Sequence, residues 1–270
     1  SLRPHIKTHK CLEISQLQIE AGASGITAAK TDEALVFVNN GTGSLTLAYP
    51  LVVDAKLDRL IQACQSRRAD LRLIIDSRAG VDAVSRAAQR HGICIDVFLK
   101  IDVGLHRCGL AEDDPLIVLL AREAERDSSL DFRGLLSHAG HVYGARDAAQ
   151  AREIARREQE ILARIRQQLE DHSIEVAEVS AGSTPTVLAS ASFDGITEIR
   201  PGNYVFMDRT PLRLGLIESN QIALSVLATV VSANADYFIF DAGSKTPGSD
   251  QGAHGIAGME GFGFAYPAEK

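Results

Sequence analysis

Cysteine is scarce in this chain of 270 residues, and the few copies present are scattered at Cys11, Cys64, Cys94 and Cys108. Their spacing contains no Cys-x-x-Cys pair of the kind that holds zinc, and their density is far below that of small disulfide-stapled proteins. Both of those protein classes are therefore disfavoured. A protein that works in a reducing cytoplasm is the expectation that fits best.

Long apolar runs and long runs of one charge are also missing. No apolar run approaches the roughly 18 residues needed to cross a bilayer, and the first residues lack the apolar region of a signal peptide. The 28 Lys and Arg against 35 Asp and Glu give a net charge of −7, with the signs mixed. We therefore expect neither a membrane nor a nucleic-acid partner, whereas a small anionic ligand remains compatible with the composition.

Nucleotide-binding motifs are absent as well. The chain has no GxxxxGK[ST] loop, and Asn40-Gly41-Thr42-Gly43 lacks the third glycine of a dinucleotide fingerprint. Nucleotide binding therefore has no support in the sequence.

What the sequence does contain is a regular alternation of apolar β-branched runs with amphipathic helical segments such as Leu12–Ala21 and Asp147–Leu169. This alternation is typical of repeated βα units around a parallel sheet. Strands are predicted at Arg3–Thr8, Gly25–Ala29, Ser44–Tyr49, Leu71–Asp76, Asp96–Asp102, Phe132–His138, Val176–Ser180 and Gly195–Arg200. Eight units favour a closed (β/α)8 TIM-type barrel over an open doubly wound sheet.

The pattern changes after Tyr204. Ile222–Val231 and Tyr237–Asp241 are apolar stretches without a helix between them, which indicates antiparallel β structure. We therefore predict an α/β protein in which a barrel over residues 1–205 is followed by an antiparallel β-domain over residues 206–270. The glycine-rich tail favours an incomplete domain, so the chain is expected to be truncated.

The segment Arg3-Pro4-His5-Ile6-Lys7-Thr8-His9-Lys10 contains the first candidate for chemistry. Alternation along a strand puts His5, Lys7 and His9 on one face. Like-charge repulsion and partial desolvation would then favour the free amine of Lys7, which is the form that reacts with a carbonyl to give an imine. The alternatives are a solvated basic edge strand or a patch that contacts phosphate.

Polar side chains also follow the other predicted strands. In a barrel the working face lies at the C-terminal ends of the strands, so these residues are candidates for one shared site. Each alone is more often a hydrogen-bonded structural residue. The candidates are Lys7, His9, Tyr49, Asp76, Asp102, Arg107, His138, His141 and Tyr143.

Two small-residue loops follow the last two strands. Ala181–Thr186 offers glycine, hydroxyls and backbone N–H groups before a short helix, and Arg200–Tyr204 offers a second glycine turn. Loops after strands seven and eight form the usual phosphate site of this fold. The alternative reading is an ordinary helix cap and an ordinary turn.

Six motifs together resemble the fold-type III pyridoxal phosphate enzymes, in the branch of D-threonine aldolase and eukaryotic-type D-serine dehydratase, with alanine racemase more distant. The resemblance covers nearly the whole chain. The motifs are Arg3–Lys10, Lys100–Gly109, Gly140–Gly144, Ser180–Thr186, Arg200–Tyr204 and Asp241–Lys245.

The resemblance implies roles for particular residues. Lys7 would carry pyridoxal 5'-phosphate, Arg107 would lie near the phenolic oxygen of its ring, and Tyr143 or His141 would lie near the pyridine edge. The phosphate would be bound by Gly182, Ser183, Thr184, Gly202, Asn203 and Tyr204. Members of this family form homodimers, so a homodimer is expected.

The activity implied is that of a lyase that cleaves D-3-hydroxy amino acids to glycine and an aldehyde, as D-threonine aldolase does. His138 or His141 would take the proton of the β-hydroxyl. Three alternatives stay open: a D-serine dehydratase with Lys7 as the base, an amino-acid racemase of the alanine racemase type, and a non-catalytic protein of pyridoxal phosphate homeostasis.

A divalent metal, Mn or Zn, is a further possibility by resemblance, because aldolases and dehydratases of this kind bind one through a His-x-Asp or His-x-Cys pair near the C-terminus. No such pair is found. His254 is followed two residues later by Ile256, so no metal ligand is predicted.

Overall fold

Seven parallel strands form one sheet in the order of the sequence in the computed structural model, which describes residues 1–243, 245–246, 261 and 263–267. Most strand residues are buried, as expected when helices cover one side of a parallel sheet and the strands curl around the other. The strands are β1 (Ile26–Ala28), β2 (Ser44–Leu47), β3 (Asp70–Ile75), β4 (Ile95–Lys100), β5 (Leu130–Leu136), β6 (Glu178–Ala181) and β7 (Glu198–Ile199).

The first residues of the chain lie between the two outer strands of this sheet. The backbone N–H of Arg3 donates to Ile199 O and that of His5 donates to Pro201 O, on the β7 side. On the β1 side, Thr27 N donates to Pro4 O and Ile6 N donates to Thr27 O. The segment 2–6 thus bonds both edges and closes the barrel, and the other seven predicted strands each overlap an observed one.

The first predicted strand, Arg3–Thr8, is too long. The chain turns after Ile6, where Lys10 N donates to Ile6 O at 2.8 Å, and Lys10 has a φ of 48°. His5, Lys7 and His9 therefore do not share one face of a strand, and that step of the sequence argument is wrong. The turn instead places Lys7 just beyond the C-terminal end of the segment.

Helices separate the strands and cover the outside of the barrel. Side-chain caps fix where some of them begin: Ser77 accepts Gly80 N at the start of α4, and Asp147 accepts Gln150 N at the start of α6. The helices are α1 (Leu12–Glu20), α2 (Thr31–Asn39), α3 (Asp54–Arg67), α4 (Arg78–His91), α5 (Leu116–Arg126), α6 (Ala148–Asp171) and α7 (Thr184–Ala189), with a 3-10 helix at Gly140–Gly144. Among the described helices, none is both long and apolar enough to cross a membrane.

Charged side chains occupy part of the barrel interior. Glu198 on β7 accepts hydrogen bonds from Arg3, Arg72 and Ser180. These three residues lie in the segment 2–6, in β3 and in β6, respectively. The guanidinium of Arg72 also lies 4.4 Å from the ring centre of Phe98. Buried charges are tolerated when they are paired in this way.

After the barrel come a short helix, α8 (Arg209–Arg213), and an antiparallel pair, β8 (Val230–Ala233) with β9 (Phe238–Phe240). The antiparallel prediction is thereby confirmed, although the first strand begins at Val230 and not at the predicted Ile222. Every residue of the two strands is exposed. The division at residue 205 stays a prediction, and His254 lies outside the described residues.

Candidate active site

A cavity opens at the C-terminal ends of the barrel strands, where the sequence predicts the site. Its empty space, counted together with the open solvent at its mouth, is about 520 Å³. It is lined by His5, Lys7, Thr8, Ala48, Lys100, Arg107, Leu136, His138, Tyr143, Gly182, Ser183, Thr184, Arg200, Gly202 and Asn203.

Most of the predicted site residues meet in this one cavity although they are spread over almost 200 positions of the chain. These are Lys7, Arg107, His138, Tyr143, Gly182, Ser183, Thr184, Gly202 and Asn203. The parallel strands bring them together, since each residue lies at or just after a C-terminal strand end. Their roles toward a ligand stay predictions.

Six of the sequence candidates lie outside the lining of the cavity: His9, Tyr49, Asp76, Asp102, His141 and Tyr204. Tyr204 accepts a hydrogen bond from Gln18 of α1 at 2.9 Å, and the Nδ1 atom of His9 accepts one from the N–H of Cys11. His141 lies next to Gly104, where an added Cβ would be 3.1 Å from its Cε1. None of these side chains lines the cavity as the structure describes it.

Lys7 lies among positive charges in the cavity. Partial removal from water and the charges of Arg107 and Arg200 lower its pKa, while Glu33 opposes the shift. Lys7 is nevertheless an exposed residue by surface area, because its side chain borders an open cavity, so the desolvation is incomplete. The like charges that favour its free amine are thus two arginines, rather than the neighbouring His5 and His9 expected from the strand.

Besides the apolar Ala48 and Leu136, the cavity is lined by four polar residues to which the sequence assigns no role: His5, Thr8, Lys100 and Arg200. Lys100 and Arg200 are the first residues of the motifs Lys100–Gly109 and Arg200–Tyr204. Each is a charged residue at or near the end of a predicted strand whose other residues are mostly apolar. Because charged side chains are rarely buried, this position is the sequence feature that could have identified both as site residues.

Lys100 and Arg200 form the buried base of the cavity, with exposed fractions of 3% and 5%. Burial, followed by the charge of Arg200, lowers the pKa of Lys100 to about 7. Burial likewise lowers the pKa of Arg200 to about 10, so its guanidinium stays charged at neutral pH. Arg200 is fixed by hydrogen bonds to Ser180 Oγ and to the carbonyl oxygen of Ser137.

The loops after β6 and β7 form one side of the cavity. Ser183 and Thr186 cap α7 reciprocally, with Ser183 N donating to Thr186 Oγ1 at 2.7 Å. Gly202 has no room for a side chain, since a Cβ would lie 3.0 Å from His5 O. The buried Nδ2 of Asn203 finds no hydrogen-bond acceptor among the described residues. An acceptor brought by a ligand would satisfy it.

The cavity therefore fits an anionic ligand. Four lining side chains are cationic types, namely Lys7, Lys100, Arg107 and Arg200, and no carboxylate lines it within the part of the chain that the structure describes. The same wall carries the unsatisfied donor of Asn203. Phosphate would balance these charges, and an aldehyde would meet the reactive amine of Lys7. The residues present thus fit pyridoxal phosphate.

His138 and Tyr143 are two further lining groups that can exchange a proton. Burial, and then the charges of Lys7 and Lys100, lowers the pKa of His138 well below its ordinary value, so its imidazole is neutral. Burial raises the pKa of Tyr143 above its ordinary value, so its hydroxyl keeps its proton. His138 can therefore accept a proton and Tyr143 can donate a hydrogen bond.

A metal site does not emerge from this part of the molecule. In the described ranges, no three or more His, Cys, Asp or Glu side chains are grouped so as to hold a metal ion.

Comparison with known proteins matches the geometry to a family. The model of the family described as alanine racemase, N-terminal domain, matches residues 1–210. The D-threo-3-hydroxyaspartate dehydratase of Delftia sp. (strain HT23) is 37% identical over 93% of this chain and 66% of its own length. Its crystal structure superimposes with a TM-score of 0.83. The D-threonine aldolase of Arthrobacter sp is 34% identical over 97% of this chain and 69% of its own. The chain thus spans about two thirds of the relatives it matches.

Proposed function

The chain belongs to the alanine racemase N-terminal domain family, and on this premise we propose that it is a pyridoxal-phosphate-dependent lyase that cleaves D-3-hydroxy amino acids to glycine and an aldehyde. The observation that carries the proposal is the cation-rich cavity in which Lys7 and the two small-residue loops meet. Relatives named as lyases of D-hydroxy amino acids support the same class.

Each wall of the cavity has a task in this proposal. Lys7 would hold the cofactor through its aldehyde, because the lowered pKa of Lys7 leaves more of its amine free to react. The N–H groups and hydroxyls of Ser183 and Thr184, with the Nδ2 of Asn203, bind the phosphate. When bound, the cofactor supplies the electron sink for the pair left on the α-carbon.

His138 is the base that the retro-aldol reaction needs. The substrate hydroxyl must lose its proton as the bond between the α- and β-carbons breaks. A neutral imidazole can take that proton, and burial, followed by the positive charges around His138, lowers its pKa and keeps it neutral. Arg107 and the buried Arg200, which line the same cavity, would attract the carboxylate of the substrate and the anionic edge of the cofactor.

Dehydration is the second candidate, because a 37%-identical relative is named a dehydratase. It would use the same cavity, with the Lys7 amine as the base that removes the α-proton. The products are a keto acid and ammonia. Product analysis therefore separates the two activities, and formation of the L-isomer would instead identify a racemase.

The first test is cofactor attachment. Purified chain, Lys7→Ala and the exposed control Lys10→Ala are mixed with pyridoxal phosphate, reduced with borohydride and digested for mass spectrometry. We expect the added mass on Lys7 in the parent chain and in Lys10→Ala, and none in Lys7→Ala. Label spread equally over surface lysines in all three proteins would refute the proposed attachment.

The second test is the reaction itself. The loaded protein is incubated with D-threonine, D-serine and D-threo-3-hydroxyaspartate, with the L-threonine enantiomer as a control. Glycine with an aldehyde supports the aldolase, and keto acid with ammonia supports the dehydratase. Labelled Lys7 without any product would favour the non-catalytic carrier over both lyases.

A further inference from the structure

The loop between β4 and α5 carries Arg107, and its two ends are bonded side by side. Asp102 N donates to Leu110 O at 2.8 Å, and Leu110 N donates to Lys100 O at 2.9 Å. The intervening residues form a closed loop with its base in the core, where Ile101 and Leu110 are buried.

The carboxylate of Asp102 organises the inside of this loop. Its Oδ1 atom accepts the backbone N–H groups of Gly104, Leu105 and His106 at 3.0, 3.1 and 3.0 Å. Its Oδ2 atom lies 3.1 Å from the Nδ1 atom of His106. One side chain thus satisfies three successive amides, and the charge makes each of these bonds stronger than a neutral one.

The backbone of the loop adopts conformations that need such support. Gly104, His106 and Gly109 have φ angles of 117°, 56° and 105°, and His106 carries a Cβ in this region. A second carboxylate holds the far side, since Gly109 N donates to Asp76 Oδ2 at 3.1 Å. Residue 107 lies between the two carboxylate contacts.

We propose that Asp102 is a positioning residue that holds the guanidinium of Arg107 at the cavity before a ligand binds. Asp102 itself does not line the cavity, whereas Arg107 does. A long, otherwise mobile side chain on a loop loses conformational freedom when it binds an anion, and a fixed loop lowers that cost. The choice of pyridoxal phosphate as the ligand rests on the proposed function.

The test is a double-mutant cycle read as affinity for pyridoxal phosphate, measured by absorbance titration. We expect Asp102→Ala to weaken binding about tenfold, and Arg107→Ala to weaken it at least as much. In the Arg107→Ala background, Asp102→Ala should change the affinity less than twofold, because there is no guanidinium left to position. Asp114→Ala, which removes a similar cap on Leu116 N, is the matched control.

A second readout needs neither ligand nor activity. Trypsin cleaves after arginine, so a loosened loop is cut faster at Arg107. We expect Asp102→Ala and Asp102→Asn to be cut there several times faster than the parent chain, with Asp114→Ala unchanged and the melting temperatures reported alongside. If Asp102→Ala does not fold, Asp102→Asn is used in both measurements.

Equal loss of affinity from the Asp102 change in both backgrounds would overturn the proposal, since Asp102 would then act independently of Arg107. Unchanged cleavage at Arg107 in both Asp102 variants would also overturn it. If Arg107→Ala binds normally while Lys7 still carries the label, the positioning proposal fails and the proposed function stands.

Discussion

Lys100 shows how a single residue can trade stability for a charged site. Its side chain is almost entirely buried although it lines the cavity, and the hydrogen bond from its Nζ to Ile101 O is long at 3.4 Å. Burial and the charge of Arg200 lower its pKa to about 7, and Arg107 adds to the effect. Cys108 and Glu158 only partly oppose the shift. The cavity therefore contains a cation that the fold accommodates poorly.

The pH dependence of stability follows from this shift. Because the folded pKa is about 7 and the ordinary value is 10.5, the unfolded chain binds more protons between those values. Lys100 thus destabilises the fold fully below pH 7, and its penalty fades as the pH rises toward 10.5. Lys100→Met should stabilise the protein by roughly 1–4 kcal/mol at pH 7.

Thermal unfolding followed by circular dichroism from pH 7 to pH 10 checks this prediction. At pH 7 the melting temperature of Lys100→Met should be higher than that of the parent chain. It should also depend less on pH than the melting temperature of the parent chain does. The exposed Lys10→Met is the control. Parallel curves for all three proteins would show that Lys100 is not the group responsible.

At the scale of elements, β7 contributes much to barrel closure although it is only two residues long. Its Glu198 receives Arg3 Nε at 2.7 Å, Arg72 Nη1 at 2.8 Å and Ser180 Oγ at 2.5 Å. These partners come from the first segment, β3 and β6. The first segment and β6 are neighbours of β7, whereas β3 is not, so the carboxylate adds a link that the backbone ladder does not make.

Loss of Glu198 should be costly, because the buried Arg3 would lose its carboxylate partner and the buried Arg72 would lose one of its carboxylates and keep Glu178. We expect Glu198→Ala to lower the free energy of unfolding by about 3–5 kcal/mol in urea titrations. Glu160→Ala, an exposed carboxylate on α6, should change it little. A cost for Glu198→Ala as small as that of the control would rule out this role.

The same variant should respond differently to acid. Burial alone would raise the pKa of Glu198, but the charges of Arg3 and Arg72 outweigh it and leave the pKa lowered. Its stabilisation is therefore present above the ordinary carboxyl pKa and is lost as the pH falls through the lowered value. Glu198→Ala should lose less stability on acidification than the parent chain does.

At the scale of the whole molecule, the cavity is a joint product of strands from the entire barrel. The first segment contributes Lys7, β4 and its loop contribute Lys100 and Arg107, and the loops after β6 and β7 contribute the small residues. A ligand held by all of them stabilises the folded chain as a unit. Homodimerisation stays a prediction from the resemblance.

Pyridoxal phosphate should therefore raise the melting temperature. A ligand at 100 times its dissociation constant adds about 2.7 kcal/mol, which corresponds to several degrees for a chain of this size. Pyridoxal, which has the aldehyde and lacks the phosphate, should give a much smaller shift at equal concentration. Equal shifts for both compounds would contradict a phosphate site at Ser183, Thr184 and Asn203.

Much of the fold could be predicted from local patterns. The alternation of apolar runs with helical periods located β1 to β7 and the closing segment 2–6, because a parallel strand buried on both faces has a distinctive composition. The predicted strand Arg3–Thr8 extends two residues beyond Ile6, because alternation alone does not show the turn that follows Ile6. The end of a strand depends on backbone hydrogen bonds that a residue pattern does not specify.

The sequence by itself determined the barrel, the antiparallel pair that follows it, and most of the residues that meet at the cavity, because motifs at strand ends converge in any parallel barrel. Only the tertiary structure decided which polar residues face that cavity. It turned Tyr204 toward Gln18 and His141 toward Gly104, and it brought Lys100 and Arg200 into the same cavity as Lys7. Side-chain direction and burial are set by packing between distant elements, and no local pattern contains that information.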